Sequence, residues 1–208
     1  LCQQVGRLQL QQGNGVEAER LLRKAVTSLT DLVGATAART AICWNHLADA
    51  LKQQGKTLES LQACRKALSI YENLSNGERS NVHYASLMAA TSNVATLTLN
   101  MAMETKNRAK LKDDLETATS VAKLMDESEV LYRRVVEYEE VICEKIKMSP
   151  NEETCKSEEH HTQNHLLALN NLAQVLAERG KKEEAIQVLR RTLRTMEAQS
   201  YIGPKHQT

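Results

Sequence analysis

A chain of 208 residues with a formal net charge of +1 and 25% charged residues lacks the basic excess expected of a nucleic-acid binder, and no apolar run approaches the roughly 20 residues that cross a bilayer. Phenylalanine is absent and aromatic residues make up only 3%, so leucine, valine, alanine and methionine must fill the interior. Eight glycines and two prolines leave few breaks, and no stretch sustains the alternation of a half-buried strand. The pattern is all-α, with helices expected near residues 1–12, 16–33, 37–54, 57–74, 80–105, 125–148, 161–179 and 182–199.

The first two helices already carry a signature that returns at a constant offset of 42. Gly13, Ala18, Leu22, Ala25 and Val26 map onto Gly55, Ser60, Cys64, Ala67 and Leu68. Such self-similarity marks a repeat array, in which each unit buries its apolar face against the next. Small residues at Ala48 and Ser60 fall where two antiparallel helices would cross, since only short side chains let the axes approach to roughly 8 to 10 Å. Gly55 stands in the turn, where glycine accepts positive φ and closes the preceding helix.

Further along, Asn93-Val94-Ala95 offers a first helix and Ser128, Tyr132, Arg133, Arg134, Val135 and Val136 a second. The halves stand too far apart: matching to the last copy gives offsets of 78 (172 − 94) and 57 (185 − 128), an excess of 21. An insertion is therefore expected within residues 106–123, whose charged run Lys106 to Glu116 contains no proline or glycine and is able to lengthen a helix or project as a loop. Ser149-Pro150-Asn151 marks a break. The last copy then follows at a constant offset of 125: Leu172, Ala173, Leu176, Gly180, Ala185, Leu189, Thr192 and Leu193 repeat Leu47, Ala48, Leu51, Gly55, Ser60, Cys64, Ala67 and Leu68. Residues 200–208, with Gly203-Pro204, are expected to be a disordered tail.

These positions resemble the tetratricopeptide repeat: Trp44, Leu47, Ala48 and Leu51 in the first helix, then Ser60, Cys64 and Ala67 in the second. The 42-residue spacing, the runs Leu169-Asn170-Asn171-Leu172-Ala173 and Trp44-Asn45-His46-Leu47-Ala48, and the loop glycine Gly34 are similar to the kinesin light chain subtype, although Ala37-Ala38 replaces that loop's usual His-Pro pair. The resemblance implies a right-handed α-solenoid of about four helix hairpins in one domain, residues 1–199. Its repeats fall at 1–36, 37–79, 80–148 with the insertion, and 157–199. Leu1 lies inside the first helix of repeat one, so a segment is expected upstream of it.

Five cysteines, an odd number without a CxxC pair, point to a reducing intracellular compartment rather than a disulfide framework, the cytosol ahead of the mitochondrial matrix. Cys43 and Cys64 read as small buried hydrophobes. Cys155 with His160, His161 and His165 is a conceivable metal cluster, since His161 and His165 share a helix face, but the spacing matches no strong motif and no metal or other cofactor is expected. No nucleophile elbow, phosphate loop or paired-carboxylate pattern occurs in the sequence, so catalysis is not expected. Residues 126–160 hold 11 acidic and 5 basic residues, a local balance of −6. That stretch, including Glu137, Glu139, Glu140, Glu144, Glu152, Glu153, Glu158 and Glu159, reads as the outer face of a helix and a solvated loop, able to attract a basic partner segment.

In tetratricopeptide families the first helices line a concave surface that holds an extended or short helical ligand. Position by position, the resemblance assigns that surface to Gln3 and Arg7, then Asn45, Asp49 and Lys52, then Ser92 and Thr96, then Asn170 and Gln174. Asn45 and Asn170 lead this set, because an amide pairs with a ligand N–H and C=O together. The expected function is a non-catalytic adaptor that binds a peptide segment of a partner protein, without direct nucleic-acid or membrane binding. The alternative is a structural subunit or assembly factor of a large mitochondrial or cytoskeletal complex.

Overall fold

The computed structural model describes residues 1–77, 81–109, 115–148 and 152–200, and the side chains of 1–74, 85–108, 115–146, 148 and 161–197. Among the described residues there are eight helices and no strand: α1 (Cys2–Gln11), α2 (Gly15–Val33), α3 (Ala38–Gln53), α4 (Thr57–Gly77), α5 (Asn81–Ala109), α6 (Leu115–Met148), α7 (Glu152–Glu178) and α8 (Lys182–Ser200). Two compact units divide the chain, Leu1–Thr105 and Lys106–Thr208.

In the first unit α1 packs on α2, α2 on α3 and α3 on α4. The hairpin turns share one bonding pattern. Gly13, Gly55 and Gly180 adopt φ of 76°, 71° and 76°, and the next residue's N–H reaches back five positions, Asn14 to Gln9, Lys56 to Leu51 and Lys181 to Leu176, at 2.9–3.0 Å. This is the closure of a Schellman motif, which satisfies carbonyls that a helix end leaves open. Small residues sit at the crossings as expected: Ala48, Ser60, Ala173 and Ala185 are buried, and the Ser60 hydroxyl donates to the Ala48 carbonyl at 2.8 Å, tying α4 to α3.

Within the second unit α6 packs on α7 and α7 on α8. The charged insertion is largely helical. α5 runs to Ala109 and α6 begins at Leu115, well before the start expected near 125; residues 110–114 lie outside the described set. Without proline or glycine nothing interrupts the helical hydrogen bonds, so both helices lengthen. α7 likewise starts at Glu152 rather than near 161, so the backbone expected as a solvated linker is helix. The Ser149-Pro150-Asn151 break falls outside the described residues, as do 201–208 of the expected tail.

Each unit also contains the same ion-pair network. In the first, Glu19 of α2 accepts from Arg23 at 2.9 Å and from Lys56 at 2.8 Å, while Arg23 reaches Glu59 at 2.6 Å. The second repeats it with Glu129 of α6, paired to Arg133 at 2.9 Å and Lys181 at 3.0 Å, while Arg133 reaches Glu184 at 2.7 Å. Arg179 adds itself to Glu129 and Asp126. Both lysines directly follow a turn glycine, so the turn delivers each to the preceding hairpin. The sequence separation is 37 for Glu19 and Lys56 but 52 for Glu129 and Lys181. The longer separation is spent on the extended α6 and α7, whose far stretch is joined by His161 Nδ1 to Glu139 at 2.8 Å.

Candidate interaction groove

The 42-residue period puts equivalent positions of α1 and α3 side by side. Three such pairs, Arg7 with Asp49, Leu10 with Lys52 and Gln11 with Gln53, line an open groove of about 580 Å³ together with His46. The Gln53 amide donates to the Leu10 carbonyl at 3.1 Å, and Gln54 bridges to the Gly15 carbonyl at 3.0 Å and to Glu19 at 2.8 Å. These bonds hold α3 against the first hairpin and so fix the two walls relative to each other.

Charges in the groove are mixed: two cations, one carboxylate and an imidazole. Burial pushes the His46 pKa below its ordinary 6.5, with Arg7 adding to the shift and Asp49 opposing it. The imidazole is neutral near pH 7. Asp49 keeps substantial solvent exposure, and partial desolvation by the walls raises its carboxyl above its ordinary 3.8, against the pull of His46 and Lys52. Nδ1 of His46 and Oδ1 of Asn45 are enclosed and make no hydrogen bond to any described residue. An enclosed polar atom costs free energy until something bonds to it.

Of the residues assigned from sequence, the structure brings Arg7, Asp49 and Lys52 together in this groove. Gln3 is half-buried on α1 and Asn45 half-buried on α3, neither of them among the groove-lining residues. Ser92 and Thr96 are half-buried on α5, where the Thr96 hydroxyl donates back to the Ser92 carbonyl at 2.9 Å. Asn170 and Gln174 are exposed on α7, in the second unit. Sequence reasoning missed Leu10, Gln11, His46 and Gln53. The signal was present: subtracting 42 from Lys52 and Gln53 gives Leu10 and Gln11.

Elsewhere, two acidic residues read as solvated face inward. Glu139 is buried against His161, and Glu129 is buried at the centre of its ion-pair network. Glu140 pairs with Arg191 at 2.7 Å; Glu137 and Glu144 are exposed, and the side chains of Glu152, Glu153, Glu158 and Glu159 lie outside the described set. Both carboxylates are turned inward by partners distant in the chain, Glu139 by His161 of α7 and Glu129 by Arg179 and Lys181 at the α7 to α8 turn. Cys155 and His160 of the conceivable metal cluster are also outside the described side chains, and His161 is engaged by Glu139. Among the described residues no group of three or more His, Cys, Asp or Glu is placed to hold a metal. No described helix is long and apolar enough to cross a membrane.

Residues 2–73 and 165–198 match family models described as Tetratricopeptide repeat, together just over half of the chain. The chain belongs to the tetratricopeptide-repeat family. Its repeats have a 42-residue period in place of about 34. The fold is similar to the crystal structure of BtubC (BKLC) from P. vanneervenii, at 17% identity and a TM-score of 0.62; all of this chain is covered, and it spans 66% of that protein's length. Weaker likenesses are to the nearly identical TPR-like repeats of a Podosopora anserina kinesin-light-chain protein and to the assembly chaperone of RpL4 (Acl4). The first has 15% identity, a TM-score of 0.43 and coverage of 96% and 95% of the two chains. The second has 13% identity, a TM-score of 0.33 and coverage of 99% and 76%. No curated protein matches the chain. A tetratricopeptide-repeat array is a protein-interaction fold.

Proposed function

We propose that this tetratricopeptide-repeat protein is a non-catalytic adaptor whose α1 and α3 groove holds a peptide segment of a partner protein. The supporting observation is the groove itself, where two rows of side chains in the same register present cations, a carboxylate and amides around Leu10. An extended peptide repeats its own groups at regular intervals, so a register of equivalent rows suits it better than it suits a compact ligand. Gln11 and His46 offer donors and acceptors for peptide N–H and C=O, while Arg7 and Lys52 favour an acidic side chain beside Asp49's complementary pull on a basic one. Ser92 and Thr96 on α5, and Asn170 and Gln174 on α7, are proposed as the equivalent contact positions of the later repeats.

Native capture followed by mass spectrometry, comparing wild type with Arg7→Ala, Lys52→Ala and with Asn45→Ala, Asn170→Ala at matched helicity, tests this reading. Loss of a discrete partner in the Arg7 and Lys52 variant is the expected outcome, with at least tenfold weaker binding. Equal recovery of one large set of complex subunits by all three proteins would sink the groove and leave a structural-subunit role in its place.

A further inference from the structure

Charged side chains in the first unit fall into two groups. Glu19, Arg23, Lys56 and Glu59 are tied to one another at 2.6–2.9 Å. Arg7, Asp49 and Lys52 face one groove, yet make no hydrogen bond or ion pair to any described residue. A ligand therefore meets these three charges without first breaking an internal bond. His46 stands among them, with Nδ1 enclosed and unpartnered. Imidazolium carries a hydrogen on both ring nitrogens, so the empty groove resists that second proton and holds His46 neutral. Its pKa is accordingly below 6.5, while partial desolvation holds that of Asp49 above 3.8. Two cations then stand against one carboxylate, leaving one net positive charge; protons on His46 and Asp49 raise it to three.

The helices packed on α3 are α1, α2 and α4. From α1, Arg7 faces His46; α3 itself adds Asp49 beside His46 and Lys52 beside Asp49. The Cys64 thiol of α4 senses Asp49 and Lys52 but, pushed up to about 12, stays uncharged, and α2 contributes no side chain to the groove lining. The proton balance of the groove therefore rests on His46 and Asp49.

A partner carboxylate that reaches Arg7 and Lys52 must also approach Asp49, and the like charges repel. A proton on Asp49 removes that repulsion, and one on His46 adds a cation. Resting on the groove reading above, we propose that the α1 and α3 groove is a proton-gated site for an acidic peptide segment, restrained by the Asp49 carboxylate at neutral pH and strengthened when Asp49 and His46 take up protons. An anion in the groove favours both protonated forms, so binding takes up protons and affinity rises as pH falls below 6.5.

Fluorescence anisotropy at constant ionic strength reads this with two rhodamine-labelled peptides, one alternating glutamate with alanine and one glutamine with alanine. The glutamate peptide should bind about fivefold to tenfold tighter at pH 5.5 than at pH 7.5, still above the range where its own carboxylates protonate. The glutamine peptide should show no such gain. Asp49→Asn should bind the glutamate peptide tighter at pH 7.5 and lose part of the gain; Asp49→Asn with His46→Gln should lose all of it at matched helicity. The ring NMR signals of His46 in wild type give a check without substitution, since the glutamate peptide should raise the pH at which they titrate. Binding that Arg7→Ala, Lys52→Ala removes, yet is flat or weaker at pH 5.5, would overturn the gating and leave the groove reading standing. No glutamate-peptide binding at either pH, with a discrete partner still lost from that variant in native capture, would overturn the acidic ligand alone. Binding indifferent to Arg7→Ala, Lys52→Ala would overturn both.

Discussion

Cys43 and Cys64 show how completely a repeat interior neutralises a reactive side chain. Burial pushes the Cys43 thiol up to about 11 and the Cys64 thiol up to about 12. The nucleophilic thiolate is then scarce at neutral pH and shielded as well. Cys2 and Cys143 are only half-buried, so reagent reaches them more readily. Of these four, a thiol reagent should therefore label Cys2 and Cys143 first in native protein, and Cys43 and Cys64 only on unfolding, as peptide mapping of the alkylated protein will show. Fast native labelling of Cys64 would mean that the seam it occupies opens readily. Their packing role was legible in sequence, because Cys64 falls on the repeat register and Cys43 lies beside Trp44 on the preceding helix. The inward turn of Glu129 and Glu139 was not, since an acidic residue on a helix gives no local sign of a cation or imidazole delivered by a distant part of the chain.

At the scale of single elements, the hairpin depends on a turn and a crossing, and the two respond differently to substitution. Gly55 has positive φ and open space around it, so Gly55→Ala meets only the backbone penalty of the left-handed region, about 1–2 kcal/mol. Ser60→Ala loses one hydrogen bond but leaves no buried donor behind, and alanine already occupies the equivalent positions 18 and 185, so the cost is about 1 kcal/mol. Ser60→Leu forces the α3 and α4 axes apart and should cost more than both together. Urea unfolding of the three variants gives the ranking; a harmless Ser60→Leu would show that the crossing is not tightly packed. Turn glycines and small crossing residues were readable because each answers a local steric demand. Helix lengths were not: absence of proline and glycine permits extension, but packing of α6 on α7 decided how far it goes.

For the whole molecule, acid is the informative perturbant, because the two seams and the groove respond in different pH windows. Glu19 is held down to about 2 by the Lys56 hydrogen bond, with Arg23 and Gln54 assisting against burial. Its contribution, about 3 kcal/mol at most, is present above 4.5 and is lost as pH falls from there toward 2. For Glu129, burial acts upward but is outweighed by hydrogen bonds from Lys181 and Arg133 and by the charges of Arg179 and Lys181, so its pKa is also lowered and its stability is lost over the same limb. His46 acts earlier: the unfolded imidazole takes a proton more readily than the buried one, so stability starts to decline as pH falls through 6.5. Asp49, raised by burial, works the other way and gains as it protonates. Thermal midpoints followed by circular dichroism should therefore fall in two stages on acidification, and Glu19→Gln should flatten the lower stage only. An unchanged acid limb in Glu19→Gln would show that the Glu19 bond carries little of the seam's stability.

The all-α class, the repeat period, the turn glycines, the small crossing residues and the family all followed from sequence alone, because each is a short-range pattern repeated in register. Only the tertiary structure decided that Arg7, Asp49 and Lys52 share a groove with His46 and Gln53, and that one ion-pair network is built twice. The reason is physical. Burial and pairing belong to surfaces brought together from distant parts of the chain, and a side chain's own helix does not reveal whether another helix will cover it.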